Sequence, residues 1–235
     1  MSHFTIMIIG AEPEKQLEPF NENLEVPRYV EATKEQLIAN NRRDIENYKN
    51  DTYAKYLANK TAYKMDCLNQ AHIYYLENEF PPKLEWTDEQ LYQDAIKDCE
   101  PSEIGAEGEV YSERNPNSKW DWFQIGGRWT GLLKLREGIN PIAPLNFSWG
   151  WEEADKAKFI NENRTDSALK RDIANLDEVV CFALLKDGKW YERGKMGWWA
   201  FVSNEKPDET WDKEFKELIM GLPDDTLISI YDCHI

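Results

Sequence analysis

Phe4-Thr-Ile-Met-Ile-Ile9, stopped by Gly10, and Thr226-Leu-Ile-Ser-Ile-Tyr-Asp-Cys233 are the two stretches that decide the fold. Both are short, apolar and rich in β-branched residues, which marks buried strands. They lie at opposite ends of the chain, so everything between them must fit into one sheet or be inserted into it. Val179–Leu185, the Asp187-Gly188 pair and Lys189–Glu192 read as a hairpin, because Asp-Gly favours a type I′ turn. Trp198–Ser203 reads as a further strand, and residues 152–172 read as helix. Asp208–Met220 has helical spacing, with Gly221 as its stop and Pro223 beyond.

The first strand is followed by a Pro-rich connection and then by a helical region. Thr33 with Gln36 and Thr87 with Gln90 have the capping-box pattern. Leu68, Ala71, His72, Tyr75 and Leu76 form one apolar stripe, Asn50-Asp51-Thr52 is a candidate break, and Pro81-Pro82 ends the run. The order strand, helices, strands, helix, strand points to an α+β fold. The expected form is a single domain over 1–235. Its core is a ferredoxin-like antiparallel or mixed sheet with helices on one face, and a mainly helical insertion occupies about 33–99.

The chain has 235 residues, 41% of them hydrophobic and 31% charged, which is a globular composition. Its formal net charge is −16, which disfavours direct binding to nucleic acid. Residues 77–113 hold twelve acidic side chains against Lys83 and Lys97, a local excess of −10. Either this is a solvated face, or Glu103, Glu107 and Glu109 belong to a surface offered to a basic partner. The apolar runs are too short for a membrane span and no secretory leader is recognisable, so a cytoplasmic location is expected. Cys67, Cys99, Cys181 and Cys233 lack zinc or redox spacing and read as free thiols.

Four motifs resemble those of an uncharacterised protein family found mainly in bacteriophages and prophages. They are Met-Ser-His-Phe-Thr at residues 1–5, Asn-Pro-x-x-Lys-Trp-Asp-Trp-x-x-x-Gly-Gly-Arg-Trp from Asn115 to Trp129, Gly-x-Met-Gly-Trp-Trp from Gly194 to Trp199, and the closing Asp232-Cys-His-Ile235. The resemblance covers both ends and most of residues 115–235. It implies a phage-encoded accessory protein in the host bacterial cytoplasm, a counter-defence or host-takeover factor that binds and inhibits a host protein through an acidic, aromatic surface.

Two clusters carry possible chemistry. In Trp120-Asp121-Trp122-Phe-Gln-Ile-Gly126-Gly127-Arg128-Trp129 the glycines can expose backbone N–H groups, Arg128 offers a fork for phosphate or carboxylate, and the Trp rings can stack on a flat group. Met196, Trp198 and Trp199 form a second aromatic turn. These parts suit a nucleotide-like small molecule, whereas a bulged strand with core Trp residues and an Arg128–Asp121 pair is the plain structural alternative. The second cluster follows from topology. If the first and last strands are antiparallel neighbours, His3 meets His234, with Asp232 on the same face as His234. Two imidazoles and a carboxylate suit acid–base work or a divalent metal. His3-Phe4-Thr5 also has the His-x-Thr form of two-histidine phosphoesterases, but only Ile235 follows His234, so the second such motif is absent. The motifs identify no cofactor, and the balance leans away from an enzyme, with a nucleotide-binding or phosphodiesterase-like protein as the alternative.

Overall fold

The computed structural model describes residues 2–147, 150–197 and 201–235. They form two compact units: Met1–Glu25 with Arg114–Ile235, and Val26–Glu113.

The first unit is built on a six-stranded mixed sheet in an α+β arrangement. Its strands are β1 (His3–Ile9), β2 (Trp122–Ile125), β3 (Ser167–Leu169), β4 (Ala183–Lys186), β5 (Lys189–Glu192) and β6 (Leu227–His234). The order is β2-β6-β1-β4-β5, and β3 also pairs with β6. β1 and β6 are antiparallel over their full length, from His3 opposite His234 to Ile9 opposite Ile228. Two short strands share the other edge of β6: β3 covers Leu227–Ser229 and β2 covers Tyr231–His234.

The ferredoxin-like detail does not hold. In that arrangement the second hairpin strand would lie beside β1 and every neighbour would be antiparallel. Here the first hairpin strand, β4, lies beside β1 and parallel to it. The residues explain why. Ala183, Leu184 and Leu185 are fully buried, as an interior strand needs, whereas Lys189 and Glu192 of β5 tolerate an edge. The turn itself is as read, with Asp187 and Gly188 both at positive φ.

Alternation along β1 and β6 gives the sheet two buried faces. Met7, Ile9, Ile228 and Ile230 pack with Leu184 against the helix Asp208–Met220, whose Trp211, Phe215 and Ile219 are buried. The Trp211 indole N–H donates to the carbonyl of Cys181 at 2.8 Å, which satisfies its one polar atom. Phe4, Ile6, Ile8, Tyr231 and Cys233 face the other way, under Leu17, Phe20 and Trp120. Both faces are therefore covered, one by the long helix and the other by the short helix Pro13–Leu17 and the turn after it. Residues 152–172 are not one helix: Glu153–Asn161 is helical, and short strands follow at Arg164–Thr165 and β3.

The second unit is mainly helical. Thr33 and Thr87 form complete capping boxes with Gln36 and Gln90 and start the helices Lys34–Tyr48 and Asp88–Ile96. The Asn50-Asp51-Thr52 stretch falls in a π-turn, Lys49–Tyr53. The unit is wider than the helical stretch because a two-stranded ribbon, Tyr29–Ala32 with Val110–Ser112, joins its ends. Among the described residues no helix is long and apolar enough to cross a membrane.

Candidate functional site

The face of the sheet that packs on the long helix is apolar at one end only. Towards the start of β1 and the end of β6, the side chains on this face become His3, Thr5, Asp232 and His234. β2 adds Trp122 opposite His234 and Gln124 opposite Asp232. The two imidazoles lie in an edge arrangement with ring centroids 5.0 Å apart, and the Trp122 ring lies 6.2 Å from that of His3.

Each histidine is held by its own carboxylate. His3 Nδ1 is 2.8 Å from Asp232 Oδ1, and His234 Nδ1 is 2.5 Å from Asp121 Oδ1. An ionised carboxylate only accepts, so each Nδ1 carries the proton and donates it. In the neutral ring Nε2 is then left with a free lone pair. His234 Nε2 is buried and has no hydrogen-bond partner. Asp232 is almost fully buried, and its Oδ2 also accepts the backbone N–H of Arg128 at 3.1 Å. Asp121 is further fixed by its own N–H, which donates to the His234 carbonyl at 3.0 Å.

The Gly-Gly turn lies directly against two carboxylates, Asp232 and Asp166. Gly126 and Gly127 have φ of +67° and +57°. A Cβ on Gly127 would come within 2.6 Å of the Asp232 Cβ, and one on Gly126 would meet the Asp166 carboxylate. Asp166 is buried and organises the next turn. It accepts the Thr130 hydroxyl at 2.7 Å and the backbone N–H groups of Gly131 at 2.6 Å and Asn146 at 3.1 Å. Burial pushes its carboxyl above the usual range, against the opposing pull of those three donors.

The turn is not an exposed phosphate cradle, contrary to the sequence reading. The N–H of Gly126 donates to Ile230, that of Gly127 to Ile125 and Asn146, and that of Arg128 to Asp232. Only the Arg128 side chain remains available: it is exposed and has no ion pair among the described residues. The expected alternative partner of Arg128, Asp121, is taken by His234.

The aromatic residues of the motif separate. Trp120 is buried on the opposite face of the sheet and donates its indole N–H to Leu17 at 3.1 Å, so it is core and cannot stack on a ligand. Trp129 packs against the helix-side core. Trp122 alone is well exposed, at 46%. Met196 is partly buried against the opposite core, away from the histidines, and Trp198 and Trp199 lie outside the described residues. The three acidic candidates sit in the second unit. Glu103 accepts the N–H of Glu100, and Glu109 accepts the N–H of Glu107 and the Tyr111 hydroxyl, so two of the three brace their own loop.

Among the described residues no group of three or more His, Cys, Asp and Glu is arranged to hold a metal ion. The buried thiols are poor nucleophiles, since burial pushes Cys181 up to about 12 and Cys233 well above the ordinary thiol value. Sequence reasoning missed the role of Asp121 as the second histidine's partner, and it missed Asp166 and Thr130 altogether. The separation of Asp121 from His234 by 113 positions left no local signal for the first. The helix expected over 152–172 concealed the second. Comparison with protein-family models, with curated proteins and with solved structures gives no match to this chain.

Proposed function

We propose that the protein is an acid–base enzyme acting on a phosphoester of nucleotide-like size through His3 and His234. One observation supports this reading above the others: two imidazoles face each other across a strand ladder, each oriented at Nδ1 by a separate carboxylate. A lone His–Asp contact is a common structural feature, but a facing pair supplies both a base and an acid. The neutral Nε2 of His3 takes a proton from the attacking water as the new P–O bond forms. His234, whose Nε2 is buried and must be uncovered as the substrate enters, gives its proton, when protonated, to the oxygen that leaves as the old P–O bond breaks. Arg128, exposed and without an ion pair among the described residues, is the cation for the phosphoryl charge, and exposed Trp122 beside His3 is the surface on which a flat group stacks.

The test is hydrolysis of bis(p-nitrophenyl) phosphate and of cyclic oligonucleotides, with His3→Ala and His234→Ala alongside. Positioned acid–base groups contribute roughly 10²–10⁴-fold each, so turnover should vanish in both variants while both stay folded. A wild-type protein that turns over no phosphoester, and whose melting temperature no nucleotide raises, overturns the reading.

A second reading is the host-protein inhibitor that the phage-family resemblance implies. One feature of the second unit favours it: Leu57, Met65, Leu68 and Tyr74 are all exposed, three of them on the short helices Ala54–Ala58, Lys60–Asp66 and Gln70–Tyr74 and Leu68, at 91%, in the turn between the last two. Such contact would run through these residues and the exposed Glu107. Capture of a defined host partner that survives both Leu68→Asp and Glu107→Lys would remove this surface, and a failure to capture any host partner would remove the reading.

A further inference from the structure

Away from the histidines, a cleft of about 370 Å³ opens where the C-terminal half of the helix Asp208–Met220 meets the turns that follow β3. Its apolar lining is wholly aliphatic: Ile173, Ala174, Leu176, Ile219 and Met220. Its charged lining is Arg136, Lys170 and Lys216 against the single carboxylate of Asp177. Three cations to one anion is the reverse of a chain whose net charge is −16. Lys170 has a structural duty, since its Nζ lies 2.5 Å from the Leu222 carbonyl and 3.6 Å from Asp224. It therefore braces the turn that follows the helix. Arg136 and Lys216 are different. Arg136 uses only Nε, which donates to the Arg171 carbonyl at 2.8 Å, and its two terminal nitrogens make no ion pair among the described residues. Lys216 is exposed and makes none either.

We propose that this cleft is a binding site for a small anionic amphiphile: a carboxylate held by Arg136 and Lys216, with an aliphatic tail along Ile173, Leu176, Ile219 and Met220. The volume is in the range of small-molecule sites. The lining selects the class. It contains no aromatic ring to stack on and no neutral polar side chain to read a sugar or a base, so it suits an alkyl chain and not a nucleotide. The guanidinium fork matches a carboxylate in two-point geometry. Met220, 74% exposed at the helix end, is an unbranched apolar side chain free to close over a tail.

The experiment is calorimetric titration of the full-length protein with decanoate, decanol and acetate, repeated with Arg136→Glu and Lys216→Glu. Saturable binding of decanoate, weaker binding of decanol and none of acetate is the expected pattern, with affinity falling roughly tenfold or more on charge reversal. Equal affinity for decanol and decanoate would overturn the anion site, as would charge reversal without effect or an absence of saturable decanoate binding. Should a charge-reversed variant misfold, Lys216→Ala and the decanoate–decanol comparison decide the matter. None of these changes touches His3 or His234.

Discussion

His3 and His234 are direct partners in the β1–β6 ladder, with ring centroids 5.0 Å apart, yet they lean on different carboxylates. Asp232 comes from β6 itself and Asp121 from the residue before β2. The two rings are thus positioned independently, and disturbing one carboxylate leaves the other histidine in place.

That independence makes Asp121→Asn informative. Asp121 is partly exposed and its loss should leave the fold intact, whereas His234 would lose the charge that fixes its tautomer. Phosphodiester turnover should fall by about 10² or more, with KM little changed. Nitrogen NMR of the His234 ring should show a mixture of tautomers in place of one. Asp232→Asn should cost activity and stability together, because the same side chain also receives the Arg128 N–H in a buried position.

Gly127→Ala should be among the most damaging small substitutions. Its φ of +57° already disfavours a side chain, and the new Cβ would sit 2.6 Å from that of Asp232. Roughly 2 kcal/mol of stability or more should be lost, measurable by urea unfolding. Gly138→Ala is the control: φ there is +81°, but nothing lies within 4 Å of the added carbon. It should show only the backbone penalty, about 1 kcal/mol.

The sheet was largely legible because its strands obey simple rules. β1 and β6 are apolar runs buried on both faces, and the register that pairs His3 with His234 follows once they are antiparallel neighbours. Asp187-Gly188 marked the hairpin, and Gly221 ended the long helix where expected. The strand order was not legible, because whether β4 or β5 sits inside depends on burial that only the folded sheet decides. The Arg164–Leu169 stretch was misread as helix because Asp166 gathers three donors from Thr130, Gly131 and Asn146, and such long-range hydrogen bonds leave no periodic trace. Among the Trp residues, Trp120 and Trp122 flank the start of one strand, and no sequence rule placed the first in the core and the second in solvent.

In the second unit, Tyr48 has a hydroxyl buried without a hydrogen-bond partner, beside the rings of Tyr75 and Phe80. Burial, with the neighbouring Tyr75 and Tyr63, pushes its ionisation from 10.0 up to about 12. Between those values the unfolded chain releases the proton and the folded chain keeps it, so this group's contribution is full below pH 10 and is lost as pH rises towards 12. Tyr48→Phe should remove an unsatisfied polar atom and raise stability by roughly 1 kcal/mol at pH 7. Urea melts should also show a shallower loss between pH 10 and 12 than in the wild type.

The second unit should be removable. Asn115 Nδ2 donates to the carbonyls of Pro19 and Asn21, both at 2.8 Å, and the Glu22 N–H donates to the Trp120 carbonyl at 2.8 Å. These bonds belong to the first unit, and they hold the chain where it leaves towards Val26 close to where it returns at Arg114. Both cores of the sheet are made entirely of residues from the first unit. Replacing 26–113 with a flexible linker of about six Gly and Ser residues, long enough to span a clamped gap, should therefore give a cooperatively folding protein. It should retain the phosphodiester turnover proposed for His3 and His234 and lose any host-protein contact made through Leu68 or Glu107. A shortened chain that folds but has lost turnover would mean that the helical unit supplies part of the substrate site, and Asn115→Ala in the full chain would then be needed to separate that loss from a loosened clamp.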